Sequence, residues 1–488
     1  MAAGLEILTV AEMAAADQAA IAAGTPGAVL MQRAGAAVAE AVIARWPKAP
    51  VVVLCGPGNN GGDGYVAARA LAEAGWDVRT ASMARASLKG DAAGAASAWA
   101  GPDAPLAADT CAGAAVVIDA LFGAGLARPL SGEAEAPLRA AEAGGLPIVA
   151  VDLPSGIPGD AANALGYAAR AALTVTFHRK KPAHVLEPSR GLCGEIVVAD
   201  IGLAEPAGAA LFENGPGLWP DAFPWPGAEA HKHARGSLAV VSGGMSHSGA
   251  ARLAARGGLR IGAGLVTVLS PPDAILVNAS HLEAVMLAAF KNPDQLAKMS
   301  GRATAVVIGP AAGVTDATRA NILALAGTDA PLLVDADGLT VFSEEPAALF
   351  AALDERDVIT PHPGEFGRVF PGLLEASPER ITAARTAAKQ AGCVVLLKGP
   401  DTVIAAPDGR AAVNTSGARW LATAGSGDVL AGFIGGLIAQ GLESFDAACA
   451  AVWIHAEAAA GFGPGLISED LPGLAPPVLR RLYESRRP

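Results

Sequence analysis

Two glycine-rich loops that contain an aspartate are the parts of this chain best suited to chemistry. They span residues 56–64 (GPGNNGGDG) and 424–428 (AGSGD), and each adjoins an Ala/Gly-rich stretch of helical character. Backbone N–H groups at a helix N-terminus carry partial positive charge and bind anions such as phosphate. A carboxylate inside such a turn repels phosphate unless a cation or a proton transfer involves it. Both loops are therefore predicted to be reaction sites.

The elements around these loops indicate two α/β domains. With 488 residues the chain exceeds what one hydrophobic core usually supports. Apolar runs of strand length alternate with helix-length segments on both sides of residues 205–231, where Pro, Gly and Trp cluster without periodicity. This rhythm predicts two parallel sheets separated by a linker, with domains at 1–215 and 225–488. In such sheets, ligands bind beyond the carboxyl ends of the strands.

Composition excludes several classes of protein. The chain is 52% hydrophobic and 17% charged, with a net charge of −12, which argues against a nucleic-acid partner. Five scattered cysteines without a C-x-x-C pattern predict free thiols in a reducing cytoplasm. No signal peptide is visible, and the apolar runs are too short for a membrane span. We expect a cytoplasmic homo-oligomer that acts on small molecules, with no nucleic-acid or membrane partner.

In the first half, acids follow two further strand-like runs. Asp119 ends one run, and Asp152 ends the next and is followed by Ser155. A single acid at such a position is usually a helix cap or a turn former. Together with Asn60, however, Asp119 and Ser155 offer oxygen ligands for a cation, which leaves Asp152 as an acid/base. Residues 56–61 also match G-x-G-x-x-G, but no acid follows the second strand, so a dinucleotide-cofactor site is disfavoured.

The motifs G-P-G-N-N-G-G-D-G, D-A-L-F-G-A-G-L and V-D-L-P-S-G together resemble the NAD(P)H-hydrate epimerase family, the YjeF N-terminal domain. The resemblance covers roughly the first 210 residues and implies a Rossmann-like three-layer domain. It implies potassium at Asn60, Asp119 and Ser155, with Asp152 as the acid/base. The hydrated nucleotide would contact residues of two loops: Asn59, Asn60, Gly61, Gly62, Asp63, Gly123, Ala124, Gly125, Leu126, Ala127, Arg128 and Pro129.

In the second half, three features point to phosphoryl chemistry. Lys398 ends a strand-like run beside a Gly turn, which suits nucleotide phosphates, although such a lysine is more often a surface residue. His362 lies in a Pro-rich turn, where a hydrogen-bonded structural role is the simpler interpretation. Asp428 lies in the first turn of a predicted helix, where it can deprotonate a hydroxyl while the loop N–H groups stabilise a transferring phosphoryl group.

The ordered motifs I-G-P-x-x-G, V-D-A-D-G-L, T-P-H-P-G-E, L-K-G-P-D-T and T-A-G-S-G-D-V-L-A-G resemble the ADP-dependent NAD(P)H-hydrate dehydratase family, which is ribokinase-like. The resemblance implies hydrated-nucleotide contacts at Ala250, Gly313 and His362, with Asp428 as the catalytic residue. It implies contacts to the AMP moiety at Lys398, Gly399, Pro400, Asp401, Thr402 and Gly427. The chain departs from the family at 311–312, where Ala-Ala replaces the frequent Gly-Leu, and at Thr423, where Asn is frequent.

Together the two resemblances imply a bifunctional repair enzyme, an isomerase and a lyase. Water adds across a nicotinamide ring double bond of NADH or NADPH and gives two epimers, NADHX and NADPHX. The first domain would interconvert the R and S forms with K⁺. The second would dehydrate the S form at the expense of ADP or ATP with Mg²⁺. The alternatives are a vitamin-precursor kinase in the second half and a nucleotide-sensing module in the first.

Overall fold

The computed structural model describes residues 4–83, 85–219, 221–417 and 419–486. Within these residues the chain forms two compact units, residues 6–209 and residues 4–5 with 210–486. The sequence-based boundary at 215 lies slightly later along the chain. Residues 211–213 form a strand of the second sheet, so this segment folds as part of the second unit.

The first unit, residues 6–209, contains a seven-stranded parallel sheet in the order β3-β2-β1-β4-β5-β6-β7. Six of these strands were predicted from the sequence, and the short exposed β3 was not. The strands are β1 (Val51–Cys55), β2 (Val78–Ser82), β3 (Asp103–Pro105), β4 (Val116–Ala120), β5 (Ile148–Val151), β6 (Leu173–Phe177) and β7 (Glu195–Ala199). The helices are α1 (Val10–Ala22), α2 (Gly27–Arg45), α3 (Asn59–Glu73), α4 (Gly90–Ala98), α5 (Glu135–Ala143) and α6 (Ser189–Leu192).

The first sheet is buried on both faces. Val51 and Val53 of β1 belong to a core that contains side chains of α2 and α3. Val52 and Leu54 belong to a separate core that contains Leu138 of α5. Because side chains alternate across a strand, this division makes a three-layer sandwich with helices on either side of the sheet.

Helix α2 is long and apolar enough to cross a membrane by length and composition alone. Its Val38 and Val42 are fully buried in the core of the first unit. The five cysteines are free and buried.

The second unit contains a ten-stranded sheet in the order β11-β10-β9-β12-β13-β14-β15-β16-β17-β8. The strands are β8 (Leu211–Glu213), β9 (Ser237–Val241), β10 (Leu265–Ser270), β11 (Met286–Ala289), β12 (Ala305–Ile308), β13 (Leu332–Val334), β14 (Val358–Ile359), β15 (Val394–Leu397), β16 (Thr402–Ala405) and β17 (Ala411–Asn414). The helices are α7 (Gly249–Ile261), α8 (Ile275–Ala279), α9 (Pro293–Ser300), α10 (Asp316–Ala326), α11 (Asp337–Thr340), α12 (Pro346–Phe350), α13 (Pro363–Val369), α14 (Leu373–Ala376), α15 (Arg380–Ala391), α16 (Ser426–Ala439), α17 (Ser444–Phe462) and α18 (Leu471–Ser485).

This sheet is mixed, whereas the sequence predicted a wholly parallel one. Strand β16 is antiparallel to both β15 and β17. The loop between β15 and β16 is only residues 398–401. A parallel connection needs a crossover of about a dozen residues or more, so a loop this short forces an antiparallel turn. The α/β class predicted for both halves is confirmed.

The Pro- and Trp-rich stretch predicted as a linker is partly folded into the second unit. Trp219 is 2% exposed and belongs to the same core as α16 and α17. Its ring centroid lies 6.0 Å from that of Trp453 in α17. The irregular composition of this stretch therefore indicates a lack of regular secondary structure. It does not indicate a solvent-exposed linker, because aromatic side chains of the stretch belong to the core.

Helices α7 and α16 approach each other closely through glycine. A Cβ atom added at Gly432 would lie 2.0 Å from the carbonyl oxygen of Ala254. One added at Gly436 would lie 2.4 Å from Cγ2 of Ile261. This packing fixes α16, whose first turn contains the predicted catalytic Asp428.

We expect Gly432→Ala to destabilise the second unit by about 1–3 kcal/mol, because the added methyl must separate the two helices. Gly461→Ala in α17 is the matched control, since no atom lies within 4 Å of its added Cβ. We expect the control to leave stability unchanged or raise it by up to about 1 kcal/mol. Denaturant unfolding measures both variants, and equal losses would contradict this account of the helix packing.

Candidate active sites

A cavity of about 580 Å³ opens beyond the carboxyl ends of β1, β4 and β5 in the first unit. The strand order reverses between β1 and β4, and such switch points are where open α/β sheets bind ligands. Its polar lining includes Asp17, Asn59, Asn60, Asp63, Asp91, Asp152 and Lys181. The sequence-predicted loops at 59–63 and 123–126 both reach this cavity, whereas Ala127, Arg128 and Pro129 are exposed and do not line it.

Asp152 is held as a charged carboxylate. Its Oδ1 accepts hydrogen bonds from Lys181 Nζ at 2.8 Å and Thr176 Oγ1 at 2.9 Å. Its Oδ2 accepts one from the backbone N–H of Ala124 at 3.0 Å. Burial alone would raise the pKa of Asp152, but Lys181, His184 and these hydrogen bonds outweigh it and lower the pKa to about 2. Asp152 thus remains ionised at neutral pH.

Lys181 is a site residue that sequence reasoning missed. The segment 176–182 (TFHRKKP) resembles a segment of the epimerase family, but from the sequence alone its two lysines have no role beyond that of a solvated loop. Instead Lys181 is 2% exposed, and its Nζ also donates to Thr176 Oγ1 at 2.9 Å. Its backbone N–H donates to Nδ1 of His184 at 2.9 Å, so the proton of that neutral ring lies on Nε2, 2.8 Å from the carbonyl oxygen of Asp152. Burial and Lys181 lower the pKa of His184 to about 4, which keeps the ring neutral.

Asp63 has the opposite character. It lies in α3, is buried, and lines the same cavity. Burial, with smaller contributions from the negative charges of Asp152 and Asp17, raises its pKa well above the usual range. The same cavity therefore favours the protonated form of Asp63 and the charged form of Asp152.

Asp119 and Ser155 are brought together as predicted. Ser155 donates to Asp119 Oδ1 from its hydroxyl at 2.6 Å and to Oδ2 from its backbone N–H at 2.8 Å. Asp119 is 1% exposed, and among the described residues no cationic side chain forms an ion pair with it. Burial raises its pKa, while the bonds from Ser155 and Leu121 oppose that rise. Asn60 lies across the loop, with its Oδ1 and Asp152 Oδ2 both within about 3 Å of where a Cβ at Gly123 would stand.

In the second unit, the carboxyl ends of β13, β14 and β15 bring a charged cluster together. Lys398 Nζ lies 2.7 Å from Asp335 Oδ1 and 3.7 Å from Glu365 Oε2. Burial opposes the charge of this lysine, but Asp335, Glu365 and Asp428 outweigh it and raise its pKa. The sequence points to Lys398 and contains Asp335 and Glu365 within the motifs V-D-A-D-G-L and T-P-H-P-G-E, but it gives neither acid a role.

Asp428 lies at this cluster in the first turn of α16. Burial and Asp335 raise its pKa to about 6, against the opposing effect of Lys398. A Cβ at Gly427 would lie 3.8 Å from Lys398 Nζ and 4.0 Å from Asp335 Oδ2. Glycine at 427 therefore leaves the amino end of α16 open toward the lysine. The arrangement offers a cation, backbone N–H groups and a carboxylate that can accept a proton near neutral pH.

Of the other predicted residues of the second unit, His362 contacts this cluster, because its Nε2 lies 3.3 Å from Glu365 Oε1. The ring Nδ1 of His362 accepts the backbone N–H of Gly364 at 2.9 Å and caps α13, while half of its side chain stays exposed. Gly313 donates its N–H to Asp337 at 2.9 Å. Ala311 has φ +52°, a left-handed conformation that costs less for glycine than for alanine. Ala250 lies in the first turn of α7.

The 398–402 turn is rigid. Asp401 is 1% exposed and pairs with Arg380 at 3.2 Å. Arg380 also donates to the carbonyl oxygen of Lys398 at 2.9 Å. The Thr402 hydroxyl bonds the backbone of Gly399 in both directions, at 3.1 and 2.8 Å. The exposed backbone of Gly399 and Pro400 thus remains for a ligand, while the Asp401 side chain holds the turn.

Two α/β units, each with a lysine–aspartate pair and a further carboxyl group at the carboxyl edge of its sheet, define a two-site enzyme for small molecules. Family models agree with this division. One described as YjeF-related protein N-terminus matches residues 27–183, and one described as NAD(P)H-hydrate dehydratase matches residues 238–464.

Relatives match along almost the whole chain. The bifunctional NAD(P)H-hydrate repair enzyme Nnr of Coxiella burnetii is 37% identical over 91% of this chain and 93% of its own. The enzyme of the same name from Thermofilum pendens is 35% identical over 94% of this chain and 93% of its own. The chain therefore belongs to the family of bifunctional NAD(P)H-hydrate repair enzymes.

One solved structure supports the fold of the second unit. A ribokinase-like superfamily protein of Enterococcus faecalis is 20% identical, with a TM-score of 0.50 over 57% of this chain and 99% of its own. At this identity the likeness concerns the fold alone. The ribokinase-like class predicted for the second half is confirmed.

We expect Lys181→Met to destabilise the first unit by about 3–5 kcal/mol, because it leaves the Asp152 charge buried without its partner. Adding Asp152→Asn should recover part of this loss, since the amide carries no charge. The difference in unfolding free energy between wild type and Lys181→Met should reach its full size above the unfolded-state pKa of an aspartate, about 3.9. It should shrink as pH falls toward 2, because folding lowers the pKa of Asp152.

Denaturant unfolding of the two single variants and the double variant measures this coupling. Lys89→Met, at an exposed lysine of the same unit, is the control and should stay within about 0.5 kcal/mol of wild type. Additive losses in the double variant would show that the ion pair does not hold Asp152.

Proposed function

We propose that the first unit interconverts the R and S epimers of NADHX and NADPHX, and that the second dehydrates the S epimer. The observation that carries this proposal is that one chain contains two separate carboxylate sites and matches bifunctional repair enzymes over nine-tenths of its length. Incubation with mixed NADPH hydrates and ADP should restore the absorbance of reduced nicotinamide. Recovery of only the absorbance that corresponds to the S epimer would show that the first unit does not interconvert the two epimers.

In the second unit, dehydration begins with transfer of a phosphoryl group from ADP or ATP to the hydroxyl of the hydrated ring. Asp428 takes the hydroxyl proton as the oxygen attacks phosphorus, and AMP leaves when ADP is the donor. Lys398 and the N–H groups of 425–428 stabilise the transferring charge. Phosphate then leaves with the C–O electron pair while the neighbouring carbon loses a proton, which restores the ring double bond.

Mg²⁺ fits this site when it is bound with the nucleotide. Among the described residues no group of three or more His, Cys, Asp or Glu side chains could hold a metal unaided. Mg²⁺ in phosphoryl-transfer sites is typically bound by one or two carboxylates together with substrate phosphates. Asp335 is the carboxylate available for the ion here, since Asp428 acts as the base. The ion would neutralise phosphoryl charge.

Asp428→Asn should lower turnover of S-hydrate by about 10²–10⁴-fold, the usual contribution of a general base, with little change in nucleotide affinity. Asp446→Asn is a matched control, because burial also raises the pKa of Asp446 to about 6 and it lies in another helix, α17. Steady-state kinetics measures both variants. In the wild type, kcat/KM should rise with pH to about 6 and then level off, as Asp428 loses its proton. Near-normal dehydration by Asp428→Asn would remove this residue from the mechanism.

We also propose that Asn60, Asp119 and Ser155 hold potassium in the first unit. The support is a buried carboxylate, Asp119, whose charge is compensated only by hydrogen bonds among the described residues. Three oxygen ligands with one formal charge suit a large monovalent cation better than Mg²⁺. The ion would supply positive charge beside the nucleotide loop, and the chain's own residues would orient the substrate.

Epimerisation or R-hydrate affinity should therefore depend on potassium concentration. Asp119→Asn keeps the shape of the side chain and removes its charge, so the potassium requirement should rise on the order of tenfold or more. S-hydrate dehydration by the same variant is the internal control and should be unchanged. Epimerisation that is indifferent to potassium in the wild type would refute the ion site.

The proposal extends to partners and location. We propose that the protein acts on NADHX, NADPHX and ADP as a cytoplasmic homo-oligomer. Gel filtration with light scattering of the full chain measures the oligomeric state directly.

A further inference from the structure

An epimerase that inverts a hydroxyl-bearing carbon needs groups that can donate and accept protons at that carbon's oxygen. In a hydrated dihydronicotinamide ring the hydroxyl is on the carbon beside the ring nitrogen. This is because hydration of an enamine adds the proton to the double-bond carbon farther from nitrogen and the hydroxyl to the carbon bonded to nitrogen. Loss of that hydroxyl is assisted by the nitrogen lone pair. Inversion by this route needs a proton donor on the face that oxygen leaves and a proton acceptor on the face that water enters.

The cavity of the first unit offers such a pair. All the hydrogen bonds described for the carboxylate of Asp152 stabilise its charged form. The donors are Lys181 Nζ, Thr176 Oγ1 and the Ala124 N–H. Asp63 lines the same cavity, and among the described residues its carboxyl group forms no hydrogen bond or ion pair. The two acids therefore have different environments within one pocket. Environments that separate the pKa values of two carboxyl groups are how active sites assign an acid and a base.

The topology separates the two strands that precede the acids. Asp63 lies in the helix that follows β1, and Asp152 directly follows β5. Only β4 separates these strands, so the strand ends are two spacings, roughly 10 Å, apart. Gly123, after β4, borders the cavity beside Asp152, and a Cβ there would lie 3.1 Å from Asp152 Oδ2 and 2.9 Å from Asn60 Oδ1. Glycine thus keeps open the space that a flat ring would need.

We propose that Asp63 is the catalytic acid of the first unit and Asp152 the base on the opposite face of the hydrated ring. This assignment rests on the proposed epimerase function. It also divides the acid/base role that the sequence assigned to Asp152 alone.

The step balances without any redox partner. Asp63 gives its proton to the hydroxyl as the C–O bond breaks, and the electron pair leaves on oxygen as water. The ring nitrogen lone pair forms a C=N bond, which leaves a cation. Water then attacks the other face of that carbon, and its lost proton goes to Asp152, so the inverted hydrate carries an oxygen from solvent. The reverse reaction exchanges the two roles.

Other charged groups face Asp63 from each neighbouring element. Asp17 of α1 and Asp91 of α4 line the same cavity, as does Lys181 after β6. The negative charges of Asp17 and Asp152 favour the protonated form of Asp63, and Lys181 is already bonded to Asp152. Asp17 is the competing acid, since burial also raises its pKa.

The test uses the full chain with purified R-hydrate in ¹⁸O-labelled water, with ADP omitted. Wild-type enzyme should yield S-hydrate that carries one labelled oxygen for each inversion, as read by mass spectrometry after subtraction of the spontaneous reaction. Asp63→Asn should lower the epimerisation rate by about 10²–10⁴-fold without weakening R-hydrate binding. Asp63→Glu, which retains a carboxylic acid, should recover part of the rate. Dehydration of S-hydrate by each variant reports that the chain is folded.

Several results would overturn the assignment. Inversion that retains the original oxygen would exclude loss of water. A wild-type rate in Asp63→Asn, or loss of epimerisation in Asp17→Asn with Asp63→Asn unaffected, would exclude Asp63 as the acid. If Asp63→Asn does not fold, failure of a folded Asp63→Glu to epimerise has the same meaning. Absence of epimerisation in the wild type would instead refute the proposed function itself.

Discussion

A buried or half-buried lysine bonded to an aspartate at the end of a parallel strand is the interaction on which both sites depend. Lys181 lies 2.8 Å from Asp152 in the first unit, and Lys398 lies 2.7 Å from Asp335 in the second. An unpaired charge at such a depth would be neutralised or would destabilise the fold. Pairing keeps both members charged at the carboxyl edge of each sheet. A cavity with fixed charges in low dielectric stabilises a reacting group more strongly than water does.

The pairs also determine what the neighbouring carboxyl groups can do. Asp152 is bonded directly to its lysine, and its pKa falls to about 2. Asp428 has no such bond, faces the negative charge of Asp335, and has a pKa of about 6. Asp63 is buried beside Asp152 and Asp17, which raises its pKa well above the usual range. One residue type thus has three different proton affinities, lowered at Asp152 and raised at Asp428 and Asp63, through differences in local charge and burial.

How much of this the sequence predicts depends on whether the signal is local. The glycine loops, Asp119, Asp152 and Asp428 were identified because strand, turn and acid are contiguous. Lys181 was missed because its partner, Asp152, lies 29 residues away in the sequence. The sequence around a lysine in a loop does not show whether that lysine is buried. Trp219 was assigned to a linker for the same reason, since its core contacts come from Trp453. Strand β16 is antiparallel because the loop between β15 and β16 is short. The length of this loop can be read from the sequence, but the pattern of apolar residues in a strand does not give the direction of that strand.

Backbone strain marks the same edges of the two sheets. Four non-glycine residues with positive φ occur among the described residues: Asp152, His178, Ala311 and Ala336. Each lies no more than three residues beyond the end of a parallel strand, after β5, β6, β12 and β13. Such conformations cost on the order of 1–3 kcal/mol each and persist only where surrounding packing enforces them. At Asp152 the strained backbone is fixed from both sides, because its N–H donates to the carbonyl of Val175 at 2.8 Å and its own carbonyl accepts from His184. The strands that these residues follow, β5, β6, β12 and β13, are fully buried, and their packing supplies the rigidity that holds Asp152 in a conformation it would not adopt alone.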